Sequence, residues 1–452
     1  MAVSGPASVT SYDWPTYGYD MQRTGYDPKE TGLTASNAST LHQVWSADLG
    51  APITAQPIVA AAITITGKVR DVMYVGTEKG VFYALDSSSG NVLWQRSLGT
   101  VTTTCYDVPN GVFGIGGSAA LDRAHSVVYV AGEDGAVHGL DMITGAEHPG
   151  WPVTGVFSTP LEHVYGGINF NPASNRLYVT VAGECDNPPY HGTVALLNTN
   201  PPALVKPRFY PATPQNNGGG VWGPGGVSID PASGNLYVGT GNSLGNPEYG
   251  YYSDQVVTLN PTLGVISHNY PNVSGFDVDF GSTPVLYKAT GCGKQVAAKN
   301  KAGQIFIYDA SAIWKGPTQT IQASDSADYN FNGDVAWDPT TNTLLSTNSA
   351  ATPTYAQGIL AFKEGANCRL TLAWQSTVGQ DRTSFSPVTV AGGVAYFGTG
   401  LDNHVYAYNI ATGAQLWGSG SGITGNVYAA PMVDTGRLYV PSWNHLMYAF
   451  AP

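Results

Sequence analysis

The chain has 452 residues, of which 11% are charged, and its formal net charge is −12. Its 56 glycines and 27 tyrosines disfavour a helical protein and favour many short strands joined by tight turns. The acidic balance argues against nucleic acid and anionic membranes as partners. No run approaches the 18 apolar residues of a membrane-spanning helix, and residues 1–14 lack the charged and apolar regions of a signal peptide.

A repeated unit runs along the chain. The segment 72–95 (VMYVGTEKGVFYALDSSSGNVLWQ) recurs at 394–418, and weaker copies lie at 127–145 and 437–452. Each copy combines short strands with glycine-containing turns, and the cycle occurs eight times. The repeat predicts an all-β fold, an eight-bladed β-propeller of four-stranded blades.

The two ends of the chain complete each other in this prediction. The last copy lacks its fourth strand, and the segment 41–46 (LHQVWS) supplies one. Closing the ring with strands from both ends removes the open sheet edges that favour aggregation. Two stacked β-sandwiches, the alternative, leave this match unexplained. We expect one domain over residues 1–452, with an N-terminal arm at 1–40 and blades from about 41 to 452.

The stretch 218–242 (GGGVWGPGGVSIDPASGNLYVGTGN) predicts a β-hairpin. Two short apolar runs, 227–229 and 236–238, flank a turn-rich middle. Because the two strands are antiparallel, Trp222 before the first and Asn242 after the second are expected at the same edge of the sheet.

Propeller geometry extends this expectation to neighbouring blades. In each blade, the link into the first strand and the loop between the second and third strands open on one face. The face that bears Trp222 and Asn242, here called the Trp222 face, is also expected to bear Glu184, Asp277, Asp279 and Lys301. The three carboxylates and the Asn242 amide form a set of hard oxygen donors suited to Ca²⁺ or a similar cation. The alternative is that these Asp and Asn side chains only cap turns.

Several motifs resemble those of the pyrroloquinoline-quinone (PQQ) alcohol dehydrogenase superfamily, and the resemblance covers nearly the whole chain. The motifs are the N-terminal segment 13–25, the blade unit 80–94, the hairpin 222–242 and the segment 276–279 (FDVD). The resemblance implies PQQ and a bound Ca²⁺ or lanthanide ion as cofactors. It also implies these roles: Asp277 as catalytic base and cation ligand, Glu184 and Asn242 as cation ligands, Asp279 as a ligand in lanthanide-using members, Trp222 beneath the quinone, and Lys301 as the basic residue that reaches the quinone.

The chain differs from the family pattern at two places around the quinone. The family's two adjacent cysteines are matched here by the segment 105–107 (CYD), which leaves Cys105 as the candidate cofactor contact. Gly111 stands where the family has an arginine for the quinone carboxylates. The haem motif C-x-x-C-H is absent from the sequence.

The four cysteines allow three pairings. Cys105 and Cys185 fall in loops of the Trp222 face, whereas Cys292 and Cys368 fall in loops of the opposite face. Pairing within each face predicts the disulfides Cys105–Cys185 and Cys292–Cys368. Such disulfides imply an oxidising, secreted or periplasmic setting. Four buried free thiols are the alternative.

These patterns favour an extracytoplasmic oxidoreductase that uses PQQ and a metal ion to oxidise the hydroxyl of a small alcohol or sugar. The electron acceptor stays open. One alternative is a non-catalytic propeller that binds a protein or a glycan on the same face, like the related outer-membrane assembly propeller. The other is a metal-dependent propeller enzyme that acts on a polysaccharide.

Overall fold

The computed structural model describes residues 11–105, 108–213, 217–245, 251–273, 275, 277–325, 333–380 and 382–452. In this part of the chain the regular structure is β-sheet, apart from short 3-10 turns at Ala38–Thr40, Pro109–Gly111, Ile313–Lys315 and Gly420–Gly422. None of the helical segments described is long and apolar enough to cross a membrane.

Eight sheets form the blades of a propeller, as the repeat predicts. Their strands are antiparallel, except that the arm strand Tyr26–Asp27 pairs in parallel with Thr389–Ala391 at the inner edge of blade 7. Blade 1 consists of Ile58–Ile65, Lys68–Gly76, Val81–Asp86 and Val92–Ser97, and blade 2 of Ala120–Asp122, Val127–Gly132 and Ala136–Asp141. Blade 3 consists of Asn169–Asn171, Arg176–Val181, Thr193–Thr199 and Pro202–Phe209, and blade 4 of Ser228–Ile229, Leu236–Gly239, Val256–Leu259 and Val265–Asn269. Blade 5 consists of Val285–Lys288, Lys294–Lys299, Gln304–Asp309 and Gln319–Gln322, and blade 6 of Ala336–Asp338, Thr343–Asn348, Gly358–Glu364 and Leu370–Thr377. Blade 7 consists of Thr389–Ala391, Val394–Gly398, Val405–Asn409 and Gln415–Gly418, and blade 8 of Met432–Asp434, Arg437–Pro441, Leu446–Ala451 and His42–Asp48. Val101–Thr102 and Val112–Phe113 pair in a separate small ribbon.

The ring closes as predicted. His42–Asp48 pairs with Leu446–Ala451 and so completes blade 8 with an N-terminal strand. Blade 8 also meets blade 1 directly, since Tyr439 Oη donates to the Ser87 carbonyl oxygen at 3.1 Å. First strands of consecutive blades contact one another from blade 1 to blade 8, so they line the centre of the ring.

Burial explains why the strands differ in sequence. Inner strands such as Val256–Leu259 are buried on both sides and read as continuous apolar runs. The outer strand His42–Asp48 instead alternates between exposed and half-buried residues. The repeated glycine at the end of the second strand has a packing cause: a Cβ on Gly76 would lie 2.2 Å from Ile115 Cγ2, and one on Gly398 would lie 2.2 Å from Val427 Cγ1. Only glycine lets the next blade approach this closely.

Blade 2 departs from the predicted four strands. Its fourth position carries only two isolated bridges, Leu140 with Glu147 and Val137 with Val153. Pro149 and Pro152 lie between these bridges and have no N–H to donate, which prevents a continuous strand.

The N-terminal arm runs across the first strands of the ring. Backbone hydrogen bonds join it to blades 1, 2, 4, 5, 6 and 7 through the pairs Trp14–Val59, Pro15–Leu121, Met21–Ile229, Gln22–Leu286, Thr24–Trp337 and Gly25–Val390. The Thr16 hydroxyl donates to the Ile168 carbonyl oxygen of blade 3 at 3.2 Å, and Glu30 accepts from Gly436 N of blade 8 at 3.0 Å. Arg23 is 1% exposed, and its guanidinium donates to carbonyl oxygens of Val227, Gly167 and Ile168. The arm therefore contacts every blade.

Candidate functional site

The hairpin of blade 4 brings Trp222 and Asn242 to one edge, as predicted. Ser228–Ile229 pairs with Leu236–Gly239. Beyond the strands, Gly241 N donates to the Gly220 carbonyl oxygen and Gly219 N to the Asn242 carbonyl oxygen, both at 2.7 Å. The Asn242 side-chain oxygen is buried and accepts no hydrogen bond from the residues described, which leaves it available to a cation.

Lys301 joins the two aspartates of the predicted site. Its Nζ lies 2.6 Å from Asp277 Oδ1 and 2.8 Å from Asp279 Oδ1. Asp279 is fully buried, whereas the Asp277 side chain is 45% exposed and open to an incoming molecule. Burial raises the pKa of Asp279 to about 6, although Lys301 opposes the shift. Burial alone would lower the pKa of Lys301, but Asp279 and Asp277 raise it above its ordinary value. Lys301 is therefore a fixed cation at physiological pH.

Trp222 lies beside this ion-pair cluster. Its side chain is 6% exposed, and Lys301 Nζ lies 5.8 Å from its ring centroid. Tyr165 and Tyr190 pack against the same indole at centroid distances of 5.3 and 6.3 Å. The arrangement surrounds one buried tryptophan with a cation and two tyrosines.

Glu184 lies in a second group, centred on a residue that the sequence analysis did not single out. His163 Nδ1 is 2.9 Å from Glu133 Oε2, and His163 Nε2 is 3.6 Å from Glu184 Oε1. All three side chains are at least 96% buried. The oxygens of Glu184, Asp277 and Asp279 do not form a group within 4.8 Å of one another in the described chain. The structure therefore brings Asp277 and Asp279 together at Lys301, and Glu184 against His163.

The group around His163 is strongly acidic. Glu78 accepts from Gly114 N at 3.0 Å and from the Thr54 hydroxyl. Burial raises the pKa of Glu78, and it raises that of Glu133 well above the ordinary value with a further contribution from Glu78 and Glu184.

The pKa values of the facing pair shift in opposite directions. Burial raises the pKa of Glu184, opposed by His163 and the Thr103 hydroxyl. Burial lowers the pKa of His163, opposed by Glu184 and the Pro160 carbonyl. The neutral imidazole and the carboxylic acid are thus both favoured by burial.

A sequence signal for His163 exists. Phe113, His163 and Trp222 each stand three residues before a Gly-Gly pair, in the links into blades 2, 3 and 4. His163 occupies in blade 3 the position that Trp222 occupies in blade 4. The Phe113 ring lies 4.6 Å from the imidazole, so adjacent blades place these equivalent residues in contact.

Both predicted disulfides are present. Cys105 bonds to Cys185 and Cys292 to Cys368, with Cα separations of 5.6 and 5.7 Å. Cys105–Cys185 packs against Phe113 and Tyr165, directly beside Glu184 in the chain. Residues 106 and 107, which complete the predicted cysteine segment, lie outside the described residues.

Comparison with protein families gives two matches. Residues 14–174 match the family model for the glucose/ethanol/alcohol dehydrogenase β-propeller domain. Residues 332–451 match the model for the outer membrane protein assembly factor BamB. The first segment holds His163 and includes part of the N-terminal arm as well as the strands of blades 1 and 2. The second segment contains strands of blades 6, 7 and 8.

Two curated proteins are similar in sequence. A polyvinylalcohol dehydrogenase from a Pseudomonas species is 23% identical over 471 residues, which cover 91% of this chain and 70% of that protein. A quinohemoprotein alcohol dehydrogenase from Comamonas testosteroni is 26% identical over 309 residues, which cover 61% of this chain and 41% of that protein. This chain therefore spans less than half of the second relative.

Solved structures share the fold. The quinohemoprotein alcohol dehydrogenase of Comamonas testosteroni superposes with a TM-score of 0.71 at 19% identity, covering 97% of this chain and 80% of that one. A europium-containing methanol dehydrogenase superposes with a TM-score of 0.69 at 17% identity, covering 97% and 98%. The family match and the two curated relatives support the predicted resemblance to PQQ-dependent dehydrogenase-like β-propellers. The solved structures share the fold.

Proposed function

We propose that this protein is a PQQ-dependent oxidoreductase that oxidises the hydroxyl group of an alcohol or sugar. The observation that carries the proposal is Lys301, which holds Asp277 and Asp279 at 2.6 and 2.8 Å and lies 5.8 Å from the Trp222 ring centroid. The half-exposed Asp277 carboxylate, the partly buried Lys301 ammonium and the Trp222 indole thus lie together.

The residues fit the expected cofactors in part. Glu184 Oε1 and Oε2 and Asn242 Oδ1 are buried oxygen atoms without a hydrogen bond of normal geometry in the described chain, so they suit a cation. Lys301 and Trp222 suit an aromatic anion such as PQQ. Gly111 and the Cys105–Cys185 bond replace the arginine and the adjacent cysteine pair expected from the resemblance. The quinone contact at Cys105 therefore stays a proposal.

Each residue has a distinct task in this scheme. PQQ, when bound, supplies the two-electron acceptor for the substrate hydride. Asp277 accepts the hydroxyl proton, because its carboxylate is the exposed one of the pair. Lys301 supplies positive charge beside Trp222. Glu184, Asn242, Asp277 and Asp279 are the proposed cation ligands, and binding of one ion by all four requires Glu184 to approach the two aspartates more closely than it does here.

One observation bears on the substrate and another on the cellular compartment. The similarity to a polyvinylalcohol dehydrogenase over 91% of the chain supports a secondary alcohol, including a polymeric one, among the substrates to test. The two disulfides support an oxidising, extracytoplasmic compartment.

Reconstitution tests the proposal. The purified chain is incubated with PQQ and either Ca²⁺ or La³⁺, and reduction of an artificial dye is measured with a panel of alcohols, sugars and polyvinyl alcohol. We expect retained PQQ absorbance after gel filtration and substrate-dependent dye reduction, both lost in Trp222→Ala. Asp277→Asn should retain PQQ but lose at least about 100-fold in rate, the usual contribution of a general base.

A second function has support of its own. The match of residues 332–451 to the BamB family model favours a non-catalytic scaffold that uses the Trp222 face to bind a protein. If the wild-type chain retains no PQQ with any of these ions, the oxidoreductase proposal falls and the scaffold replaces it.

A further inference from the structure

His163 and Glu133 form a buried pair. Glu133 Oε2 lies 2.9 Å from His163 Nδ1, which is hydrogen-bond distance, and both side chains are buried. When Nδ1 donates this hydrogen bond, Nε2 carries the lone pair of the neutral ring. A carboxylate behind a histidine in this way is the usual support of a metal-binding imidazole, because it fixes the tautomer and the ring orientation.

The other side of the imidazole faces Glu184. The distance from Nε2 to Glu184 Oε1 is 3.6 Å, too long for a hydrogen bond. Neither Nε2 nor either Glu184 carboxylate oxygen makes a hydrogen bond of normal geometry within the part of the chain that the structure describes. His163 Nε2 and the two Glu184 oxygens are thus buried polar atoms without a hydrogen bond of normal geometry in the described chain. Such atoms are rare in folded proteins.

The separation matches two ligands of one ion. Metal bonds of about 2.0–2.2 Å at tetrahedral or octahedral angles place neighbouring ligand atoms about 3–3.6 Å apart. A divalent ion would also offset negative charge on Glu133 and Glu184, which lie on opposite sides of the same buried imidazole.

We propose that His163 Nε2 and the Glu184 carboxylate bind one divalent transition-metal ion, with Glu133 as the residue that orients the imidazole. The inference rests on the proposed function only in that Glu184 is a cation ligand in both. It changes the chemistry of the site from all-oxygen to mixed nitrogen and oxygen. Imidazole suits Zn²⁺, Co²⁺, Ni²⁺ or Cu²⁺, whereas Ca²⁺ and lanthanides prefer oxygen ligands. Two protein ligands leave positions for water or for a substrate hydroxyl.

Metal binding is measured directly, without quinone or substrate. The purified full chain is freed of metal with a chelator and titrated with Co²⁺, followed by its visible absorption, and with Cu²⁺, followed by electron paramagnetic resonance. We expect one ion per chain and nitrogen hyperfine coupling in the Cu²⁺ spectrum. Glu133→Gln should lower the Co²⁺ affinity by about 10- to 100-fold. His163→Gln should lower it further and should remove the nitrogen coupling from the Cu²⁺ spectrum.

His191→Gln is the matched control. His191 lies on the same face in the same blade, with Nδ1 4.0 Å from Glu162 Oε1, and its side chain is 36% exposed. The His191→Gln variant should bind Co²⁺ with the affinity of the wild type. A wild-type Cu²⁺ spectrum without nitrogen coupling would overturn the inference whether or not the variants fold, as would equal Co²⁺ affinity in folded His163→Gln.

The two proposals can fail separately. Quinone-dependent dye reduction with Ca²⁺, together with no binding of Co²⁺ or Cu²⁺, would overturn the mixed-ligand site and leave the oxidoreductase standing. Nitrogen-coupled Cu²⁺ without any retained PQQ would support the metal site and overturn the oxidoreductase.

Discussion

At the scale of single residues, Gly241 sets the distance between blades 4 and 5 at the site. A Cβ on Gly241 would lie 2.6 Å from Asp279 Oδ2 and 2.7 Å from Trp222 Nε1. Both distances are shorter than real Cβ contacts, and both neighbours are buried. The absence of a side chain here is what allows the Asn242 loop, the indole and the inner aspartate to meet.

We therefore expect Gly241→Ala to destabilise the protein by about 1–3 kcal/mol, because an added methyl group must displace a packed side chain. The free energy of unfolding in urea measures the effect. Gly293→Ala is the control, since a Cβ at Gly293 meets nothing within 4 Å. Equal stabilities of the two variants would show that Asp279 and Trp222 adjust freely.

At the scale of loops, the segment after Glu184 combines two constraints. Cys185 and Asp186 both adopt left-handed backbone conformations, with φ of 47° and 51°, and Cys185 is tied to Cys105. Two successive non-glycine residues in this region are unfavourable and persist only when the surroundings hold them. The disulfide therefore helps to hold Glu184 against His163.

The two disulfides allow a matched test of this role. They close chain segments of 80 and 76 residues, so the double serine variants at residues 105 and 185 and at residues 292 and 368 should each lose about 4–5 kcal/mol by chain entropy. Only the pair at 105 and 185 should also weaken Co²⁺ binding, measured by titration of the folded variants. Equal Co²⁺ affinity in the two double serine variants would show that the Cys105–Cys185 bond does not support the proposed cation site.

The sequence predicts the elements better than it predicts the site. Glycine-bounded strands and the spare N-terminal strand are local signals, so the eight blades and their closure follow from them. The cysteine pairing follows from the faces of the ring. The partnership of Glu184 with His163 does not, because it depends on a loop path set by left-handed residues and a distant cysteine. The missing strand of blade 2 depends on two prolines whose effect appears only in its pairing.

At the scale of the whole molecule, a polar network links the arm to the ring. Tyr17 Oη donates to Asp334 Oδ2 at 2.9 Å, and Thr283 N donates to Asp334 Oδ1 at 2.7 Å. Burial raises the pKa of Asp334 to about 7 despite these hydrogen bonds. Burial also lowers the pKa of Lys299 to about 8, with Asp334 opposing the shift.

This network predicts a pH dependence of stability. The folded chain keeps a proton on Asp334 that the unfolded chain releases above about pH 4, so this residue makes the free energy of unfolding fall as pH rises from about 4 to about 7. Asp334→Asn removes that titration. In urea unfolding at pH 5, 6 and 7 the decline should become shallower by up to about 1.4 kcal/mol per pH unit. A slope identical to that of the wild type would place the titration elsewhere.

The arm that touches every blade also fixes how many blades there can be. Each short step from Trp14 to Gly25 reaches the first strand of a different blade, and the order of these partners runs round the ring. A duplicated blade would widen the circle and separate the later partners from an arm of unchanged length. The repeat could otherwise be copied freely, since each blade mainly contacts its two neighbours. The length of the arm thus matches a ring of eight blades. A related protein with an added blade would need a longer arm or none.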